Sequence, residues 1–449
     1  MNSTHSFSCP ALIISALGSG QGKTTVTAVL GRYFRNQGLK VQVFKIGPDF
    51  LDPTIHELAT GNPVYQLDLF MGGQDHCQDL LYKSAQSSDL ILIEGGMGLF
   101  DGDPSSADLS LLFDIPVLAV IDASGMAQSF GALALGVTQF KPEIHFAGVF
   151  ANQVAGEGHL SMIKEALPEG IPFYGALGRN STDILPERHL GVHLAKELGG
   201  LDQLLDDLSN RLAEFGQLAL PEPVMFSLDR RASETALKHH ELPLTNKRVA
   251  VAKDQAFCFI YPMNLDVLKQ LGAEIVFFSP LHEDRIPDAD ILYLPGGYPE
   301  LYAEQLSDNH SMLEAMKAFA SDGKTIWAEC GGMLYLSEQL LLKDGCRYPM
   351  VGLLPGQAEM HSTLQALAYQ TVTMNERLKD ASLRGHTFHY SSFETELSGR
   401  YMGECPNYKR RSEAFYCHNN IVASYIHSYF ASAPELVADL MLNPSLGIH

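Results

Sequence analysis

The sequence has no long apolar run, few basic residues and no paired cysteine motif, and each absence excludes a class of protein. No apolar segment approaches the roughly 20 residues of a membrane-spanning helix. Only 31 Lys and Arg stand against 52 Asp and Glu, a formal net charge of −21, so nucleic acid is not an expected partner. The seven cysteines contain no CxxC pair, which argues against a zinc site or a disulfide framework. Since the N-terminus has no basic region followed by an apolar core, we expect a cytoplasmic protein.

The 449 residues suffice for two or three domains, and 46% of them are hydrophobic. In the first half, helical stretches alternate with short apolar segments, namely ALIISAL, VQVFKI, DLILIEG, IPVLAVID and FAGVFANQV. Strands that are apolar throughout are typical of a parallel sheet covered on both faces. The sequence therefore predicts a doubly wound α/β domain over residues 1–217.

This pattern breaks and then begins again. Residues 218–246 contain prolines, charges and a short helical stretch but no strand followed by a helix, so we expect a linker. From Arg248 onward the alternation returns with RVAVAK, AEIVFFS, ADILYLPGG and KTIWAECGG. A second α/β domain is expected over residues 247–449.

A glycine-rich loop, GSGQGKTT, lies between the first apolar strand and a helical stretch. Backbone N–H groups and a helix N-terminus can hold phosphates there, Lys23 can neutralise them, and the Thr24 hydroxyl can reach Mg²⁺. The first glycine of the usual G-x4-G-K-T pattern is replaced by Leu17, although Gly18 and Gly20 keep the loop flexible. The alternative is a simple strand-to-helix turn with an exposed lysine. The strand before the loop and the helix after it favour phosphate binding.

Polar side chains follow the apolar strands on what should be the same edge of the sheet. Glu94 ends the strand LILIE, Asp101 follows in the next loop, and Asp49 and Asp52 come after VQVFKI. As a cluster, these carboxylates predict a Mg²⁺-dependent site, although each alone could cap a turn. Asn152 ends a further strand, where its amide can read an adenine edge or cap a loop.

In the second half, Cys330 lies between an apolar strand and a helical stretch and is followed by two glycines. This arrangement predicts a nucleophile elbow, in which the helix dipole lowers the thiol pKa. The backbone N–H groups of Gly331 and of the Gly296–Gly297 pair could form an oxyanion hole. His427 ends a strand downstream and is the candidate base. The alternatives are a buried core cysteine and a surface histidine.

Taken together, these motifs resemble those of the cobyrinic acid a,c-diamide synthases, glutamine-hydrolysing amidotransferases of corrinoid biosynthesis. The resemblance covers nearly the whole chain. It rests on GKTT at 22–25, FKIGPDFLDP at 44–53, EGGMGLFDG at 94–102, LPERHLG at 185–191, FCFIYPMNL, FFSPL, LPGGYPELYAEQL, WAECGGMLYL, GHTFHYS and SYIHSYF.

The resemblance implies a first domain with a dethiobiotin-synthetase-like P-loop fold that binds ATP and the corrinoid. It implies a second domain like the class I glutamine amidotransferases, in which Cys330 forms a thioester and His427 raises its reactivity. By the same resemblance, the oxyanion donors are Gly297 and Gly331, the ATP-binding residues are Gly20, Gly22, Lys23, Thr24, Thr25 and Asn152, the synthetase site holds Asp49, Asp52, Glu94 and Asp101, and the Mg²⁺ ligands are Thr24, Asp49 and Glu94.

The implied reaction joins two chemistries. ATP converts an acetate side chain of cobyrinic acid to an acyl phosphate, and ammonia from glutamine attacks it, first at one of the a and c positions and then at the other. Glutamine and ATP are co-substrates, and Mg²⁺ is the cofactor. Either a monomer or a homodimer is compatible with the sequence.

The sequence departs from the family pattern at one catalytic position. Many class I glutaminases carry H-x-E, but Tyr429 stands where that Glu would be, so we expect a Cys–His dyad. In GHTFHYS, the side chains of His386, His389 and Tyr390 are either substrate contacts or one packed face of a strand.

Other acceptors and one other class of protein also fit parts of this pattern. Hydrogenobyrinic acid, the cobalt-free corrin, and nickel-sirohydrochlorin could receive the same two amidations. Cobyric acid synthase amidates four positions, and KIGPDFLDP with PERHLG fits it less well. A partition-type ATPase with a silent glutaminase-like module would carry an additional lysine early in the phosphate loop, and residues 17–21 contain none.

Overall fold

The computed structural model describes residues 5–179, 199–214, 218–228, 242–374, 381–406 and 412–444. The chain divides into two compact units. The first comprises residues 1–69 and 74–236, and the second comprises residues 70–73 and 237–449. The LPERHLG motif at 185–191 lies outside the described residues.

The first unit is built on one sheet of eight strands. These are β1 His5–Ala16, β2 Val41–Ile46, β3 Tyr65–Leu67, β4 Leu90–Glu94, β5 Val117–Asp122, β6 Phe146–Val154, β7 Phe173–Gly178 and β8 Pro223–Leu228. Seven of them run parallel in the order β3-β2-β4-β1-β5-β6-β7. Every residue of β4 is buried, as expected for a strand between two layers of helices.

In the part of the first unit that the structure describes, seven helices connect or cover these strands. They are α1 Lys23–Asn36, α2 Asp52–Thr60, α3 Gln74–Ser87, α4 Ser106–Phe113, α5 Ser129–Gln139, α6 Glu157–Ala166 and α7 Leu201–Glu214. Helix α1 starts directly after Gly22, whose φ of 91° is accessible to glycine at little cost. Pro53 occupies the first turn of α2, where its missing N–H costs no hydrogen bond.

Strand β8 corrects the prediction of a linker over residues 218–246. It pairs antiparallel with the first half of β1, from His5 opposite Leu228 to Pro10 opposite Pro223. Val224 and Phe226 are buried while Met225 is exposed, a period of two that marks a strand with one covered face. The prediction missed it because it relied on strands followed by helices, the pattern of a parallel sheet, whereas β8 pairs antiparallel with β1.

The described residues of the second unit form fourteen strands. They are β9 Arg248–Ala252, β10 Glu274–Phe278, β11 Ile291–Leu294, β12 Thr325–Glu329, β13 Ser337–Leu341, β14 Arg347–Pro349, β15 Leu354–Met360, β16 Ala366–Met374, β17 Ala381–His389, β18 Ser391–Glu394, β19 Tyr401–Met402, β20 Ala414–His418, β21 Ile421–Ser424 and β22 His427–Ser428. The main sheet has the order β10-β9-β11-β12-β21-β20-β19, parallel as far as β21. Two smaller sheets have the orders β14-β13-β15-β18 and β16-β17-β22.

The helices of the second unit are α8 Pro262–Gln270, α9 Ala303–Asp308, α10 His310–Ser321, α11 Gly331–Leu336 and α12 Pro434–Leu442, with short 3₁₀ helices at Pro299–Tyr302 and Phe430–Ser432. The two parallel sheets with their helices confirm the predicted α/β fold class. Within the described ranges, none of the helices is both long and apolar enough to cross a bilayer.

Candidate active sites

The glycine-rich loop joins β1 to α1. The Lys23 ammonium is buried and donates to the carbonyl oxygen of Gly18 at 3.0 Å. Asn152 at the end of β6 donates from Nδ2 to the Gln21 carbonyl oxygen at 3.1 Å. A Cβ atom on Gly22 would lie 2.1 Å from that Nδ2. The predicted adenine-reading amide is therefore in contact with the loop, which itself requires glycine at position 22.

The first turn of α1 connects this loop to the carboxylates. Gly20 has a φ of 76°, in the left-handed region, and Thr24 and Thr25 follow Lys23 in the helix. The Thr24 hydroxyl donates to Glu94 Oε1 at 2.7 Å. The register of β4 beside β1 makes this contact possible, because Glu94 lies opposite Ile14, near the end of β1.

Lys45 is the residue of this site that the sequence reasoning missed. It lies on β2 directly opposite Glu94, and its ammonium is 3.0 Å from Glu94 Oε1, 2.8 Å from Asp52 Oδ2 and 3.8 Å from Asp49 Oδ2. Burial alone would lower the pKa of Lys45, but the three negative charges outweigh it and raise the pKa. A lysine inside the otherwise apolar strand VQVFKI was the available signal.

Glu94 is fully buried and ionised beside this lysine. Burial alone would raise its pKa, yet the charge of Lys45 and a hydrogen bond from His56 Nε2 hold the pKa of Glu94 below its ordinary value. His56 lies on α2, is itself fully buried, and was also missed. These contacts keep one oxygen of Glu94 on the side of Thr24 and the other on the side of His56.

Of the other predicted carboxylates, Asp49 caps a turn and Asp101 is exposed. Asp49 Oδ1 accepts from the backbone N–H groups of Leu51 at 2.9 Å and Asp52 at 3.3 Å, so it caps the turn into α2 as well as facing Lys45. Asp101 is exposed in the loop after β4. The structure therefore brings Asp49, Asp52 and Glu94 together around Lys45.

The oxygen atoms of Thr24, Asp49 and Glu94 are the hard ligands that Mg²⁺ prefers. Thr24 and Glu94 already lie within hydrogen-bond distance of each other. Among the residues that the structure describes, no group of three or more His, Cys, Asp or Glu side chains is arranged around a common metal position. The chemistry of the predicted set fits Mg²⁺ held partly by a hydroxyl.

Cys330 forms the predicted elbow between β12 and α11. Its backbone has φ 43° and ψ −107°, a strained conformation for a residue with a side chain. Its N–H donates to the Ser424 carbonyl oxygen at 2.8 Å, which fixes the turn against β21. Burial, with a further contribution from the charge of Glu300, raises the pKa of the Cys330 thiol. The expectation of a lowered thiol pKa is therefore wrong, because burial is the larger effect.

Glycines after β11 make room for the catalytic candidates. A Cβ atom on Gly296 would lie 2.3 Å from Cε1 of His427, so only glycine fits beside that ring. A Cβ atom on Gly331 would lie 3.1 Å from the backbone nitrogen of Gly297. The two predicted oxyanion donors are thus neighbours.

His427 lies on β22, opposite His386 of β17, and the two rings stack with centroids 5.0 Å apart. Burial, with smaller contributions from His386 and His389, lowers the pKa of His427 well below its ordinary value. A neutral imidazole is the form that accepts a proton. Tyr429 is buried and its N–H donates to the Arg384 carbonyl oxygen at 2.8 Å.

The GHTFHYS segment forms the end of β17 and packs inside the second unit. His386 and His389 are buried, and Tyr390 is half-buried. His389 contacts the Ser391 carbonyl oxygen through Nδ1 at 2.7 Å and Glu413 Oε1 through Nε2 at 3.2 Å. These contacts favour packing over substrate contact for His389. His386 is likewise packed, with Nδ1 2.9 Å from the Tyr261 hydroxyl oxygen, but three positions away on β17 it lies on the opposite face of the strand.

Two family models match the chain, one in each half. Residues 12–192 match the CobQ/CobB/MinD/ParA nucleotide binding domain, and residues 248–435 match the CobB/CobQ-like glutamine amidotransferase domain. The loop and the carboxylate cluster fall in the first match, and Cys330 and His427 fall in the second.

Curated proteins are similar to the chain over nearly its full length. The chain is 52% identical to the hydrogenobyrinate a,c-diamide synthase of Stutzerimonas stutzeri, with 97% of this chain and 99% of the relative covered. It is 47% identical to the protein of the same name from Pseudomonas aeruginosa, covering 96% and 97%. It is 42% identical to the cobyrinate a,c-diamide synthase of Herminiimonas arsenicoxydans, covering 95% of each. The resemblance is thereby confirmed, and the chain belongs to the a,c-diamide synthase family of glutamine-dependent amidotransferases.

Proposed function

We propose that the chain is a glutamine-hydrolysing, ATP-dependent ligase that amidates the a- and c-acetate groups of a corrin. The observation that carries this proposal is the coexistence of two sites. One is a phosphate loop beside the Lys45 carboxylate cluster, and the other combines a strained, buried Cys330 with a buried His427 that packs against Gly296 in the same unit. The names and the coverage of the relatives support the reaction.

In the synthetase half, the loop N–H groups and Lys23 hold the phosphates of ATP, and Asn152 contacts the adenine. Thr24, Asp49 and Glu94 would hold Mg²⁺, which neutralises phosphate charge when bound. Lys45 pairs with the buried carboxylates of Asp52 and Glu94 and lowers the pKa of Glu94, and Asp101 lies in the loop after β4. The corrin acetate attacks the γ-phosphate, giving an acyl phosphate and ADP.

In the glutaminase half, neutral His427 takes the proton of the Cys330 thiol as the sulfur attacks the glutamine amide carbon. The N–H groups of Gly297 and Gly331 donate to the oxyanion that forms. His427 then gives its proton to the leaving ammonia, and water hydrolyses the thioester to glutamate. Ammonia attacks the acyl phosphate and releases inorganic phosphate, and the cycle runs twice per corrin.

The acceptor is proposed to be hydrogenobyrinic acid, because the relatives at 52% and 47% identity carry that name. Cobyrinic acid, the first expectation from the sequence, is the second candidate and is supported by the relative at 42% identity. We infer a cytoplasmic enzyme that works as a monomer or homodimer without nucleic acid, supported by the net charge of −21.

Mass spectrometry of the corrin product tests this proposal. Wild-type protein is incubated with ATP, Mg²⁺, glutamine and either hydrogenobyrinic or cobyrinic acid, and two conversions of carboxylate to carboxamide are expected. Cys330→Ala should lose more than about 10³-fold of the glutamine-dependent rate and retain the ammonia-dependent rate. Amidation of neither corrin, with glutamine still hydrolysed, would contradict the acceptor assignment. Undiminished glutamine use by Cys330→Ala would contradict the assigned nucleophile.

A further inference from the structure

Glu329 is a buried carboxylate directly before the nucleophile, and the sequence reasoning gave it no role. It ends β12 and is 2% exposed. Its Oε1 accepts from Trp327 Nε1 at 2.9 Å and from the backbone N–H of Ser428 at 3.1 Å, while Oε2 accepts from the Tyr293 hydroxyl at 2.9 Å.

This carboxylate is costly to bury. None of its three hydrogen-bond donors is a cation, and burial raises the pKa of Glu329 to about 7 despite those donors. An apolar residue would fill the space at lower cost. A function for the acid is therefore indicated, and its contacts show which atoms it joins.

The hydrogen bond to Ser428 connects the two catalytic segments. Glu329 is followed by Cys330, and Ser428 is preceded by His427, so this bond joins the residues adjacent to the nucleophile and the base. Strand β22 itself is only two residues long, and its ladder with β17 pairs Gly385 with Ser428 and His386 with His427. A segment this short depends on side-chain contacts for its position.

A second side chain holds the same segment from α8. Asn264 donates from Nδ2 to the Ser428 carbonyl oxygen at 2.8 Å and accepts from the Phe430 N–H through Oδ1 at 2.8 Å. Buried side chains therefore hold both backbone groups of Ser428. Asn264 binds its carbonyl oxygen, and Glu329, from the nucleophile strand, binds its N–H. Tyr429, at the position of the usual H-x-E glutamate, is held through its own N–H by the Arg384 carbonyl oxygen.

We propose that Glu329 is a positioning residue that fixes the separation of Cys330 and His427 through Ser428. Its carboxylate comes from the nucleophile strand and binds the backbone N–H of the residue that follows the histidine. This inference rests on the proposed function, because it takes Cys330 and His427 as the nucleophile and the base.

Three substitutions of Glu329 separate the effect of its side-chain length from the effect of its charge. Glu329→Gln retains the length and can keep the bonds from Trp327 and Ser428 on Oε1, with its amide donating to the Tyr293 hydroxyl. Glu329→Asp retains the charge but is one methylene shorter and does not reach Ser428. Glu329→Ala removes every contact. Met316→Ala serves as a control that loosens the core of the same unit, because Met316 is buried on α10 and belongs to neither β12 nor β22.

The experiment measures kcat and KM for glutamine hydrolysis, ammonia-dependent amidation, and the thermal midpoint of each variant. Because a displacement of about 1 Å costs about 100-fold in rate, Glu329→Asp and Glu329→Ala should lose about 100-fold in kcat with KM nearly unchanged. Glu329→Gln should stay within about fivefold of wild type, and ammonia-dependent amidation should be unchanged in all variants. Met316→Ala should lower the thermal midpoint without lowering kcat.

Each other outcome has a definite meaning. Wild-type kcat in Glu329→Asp overturns the positioning role, and a loss of kcat in Glu329→Gln alone overturns it in favour of charge. A loss of kcat in Met316→Ala equal to that in Glu329→Asp reduces the role to general stability. If Glu329→Ala does not fold, the Gln and Asp variants still decide whether Glu329 has a positioning role. Failure of the proposed dyad is recognised separately, because Cys330→Ala would then still hydrolyse glutamine.

Discussion

Two buried glutamates, Glu94 in the first unit and Glu329 in the second, each end a fully buried parallel strand. Both lie next to a candidate reactive group, yet their pKa values move in opposite directions. Beside the ammonium of Lys45, the pKa of Glu94 is lowered in spite of burial. Beside three neutral donors, burial raises the pKa of Glu329 to about 7. The same position in the same kind of sheet therefore gives an ionised acid or a half-protonated one, depending on whether a cation is paired with it.

The difference matches the chemistry proposed for each unit. Phosphoryl transfer from ATP uses groups that are already charged, and the Lys45 cluster keeps them charged. The glutaminase site begins from a neutral thiol and a neutral imidazole, and it creates charge only as the reaction proceeds. Removing one side chain from either unit tests the difference between the two buried glutamates.

Removing the cation from the first unit should have the largest effect. Lys45→Met leaves Glu94 and Asp52 buried without a counter-charge, and we expect the first unit to lose about 3–5 kcal/mol of unfolding free energy. Far-UV circular dichroism in urea measures this loss. The only tryptophan is Trp327 in the second unit, so its fluorescence transition should stay in place.

Lys83→Ala is the matched control, because Lys83 is exposed and pairs with Asp79 on the surface of α3. It should change the unfolding free energy by less than about 1 kcal/mol. Equal losses in the two lysine variants would show that the buried cluster contributes no more than a surface ion pair.

The stability of the second unit should fall as the pH rises, because the raised pKa of Glu329 acts in the opposite direction to the lowered pKa of Glu94. Glu329 binds its proton more tightly folded than unfolded, so its contribution to stability is present at low pH and is lost as the pH rises toward about 7. Between pH 5 and pH 8, wild type should lose up to about 3 kcal/mol that Glu329→Gln does not lose. Urea unfolding followed by Trp327 fluorescence at the two pH values measures the difference. Parallel pH profiles for wild type and variant would contradict a raised pKa.

Crowding His427 should impair glutamine use without affecting the first unit. In Gly296→Ala, the new methyl group would lie 2.3 Å from Cε1 of His427, so the ring must move. We expect the glutamine-dependent rate to fall by about 100-fold, with the ammonia-dependent rate preserved. Gly323→Asn is a control for changing a glycine in the same unit, because an added Cβ at this exposed turn would have no atom within 4 Å and Asn tolerates the left-handed φ of 76° found there. A glutamine-dependent rate in Gly296→Ala equal to that in Gly323→Asn would show that the ring position is unimportant.

Local patterns explain what the sequence could reveal of this molecule. Runs of Val, Ile and Leu predicted the parallel strands, and glycines at fixed offsets predicted the phosphate loop and the Cys330 elbow, because each of these signals lies within about ten residues. The structure confirms the fold class, and the residue roles at the two sites stay predictions. Lys45 was missed because its charge is explained by Glu94 of a neighbouring strand.

The features of the second unit that were missed depend on still longer separations. Glu329 meets Ser428 across 99 positions of the chain, and His386 meets His427 in an antiparallel pair. No spacing rule for one strand and one helix contains such contacts. The direction of the thiol pKa was also missed, because the dipole of a short helix is a local feature whereas burial is a property of the folded unit.

The smallest expected effect concerns the connection between a strand and the helix that follows it. After β12 the connection is Cys330 itself, with no side-chain cap on α11. After β4 a longer loop ends in a capping box, in which the Ser105 hydroxyl accepts from the Asp108 N–H at 3.2 Å and the Ser105 N–H donates to Asp108 Oδ2 at 2.9 Å. Ser105→Ala should therefore cost about 1 kcal/mol in the first unit, measured by urea unfolding. Ser124→Ala, at an exposed turn, should cost less than about 0.5 kcal/mol, and equal costs would mean that the loop carrying Asp101 is not held by its cap.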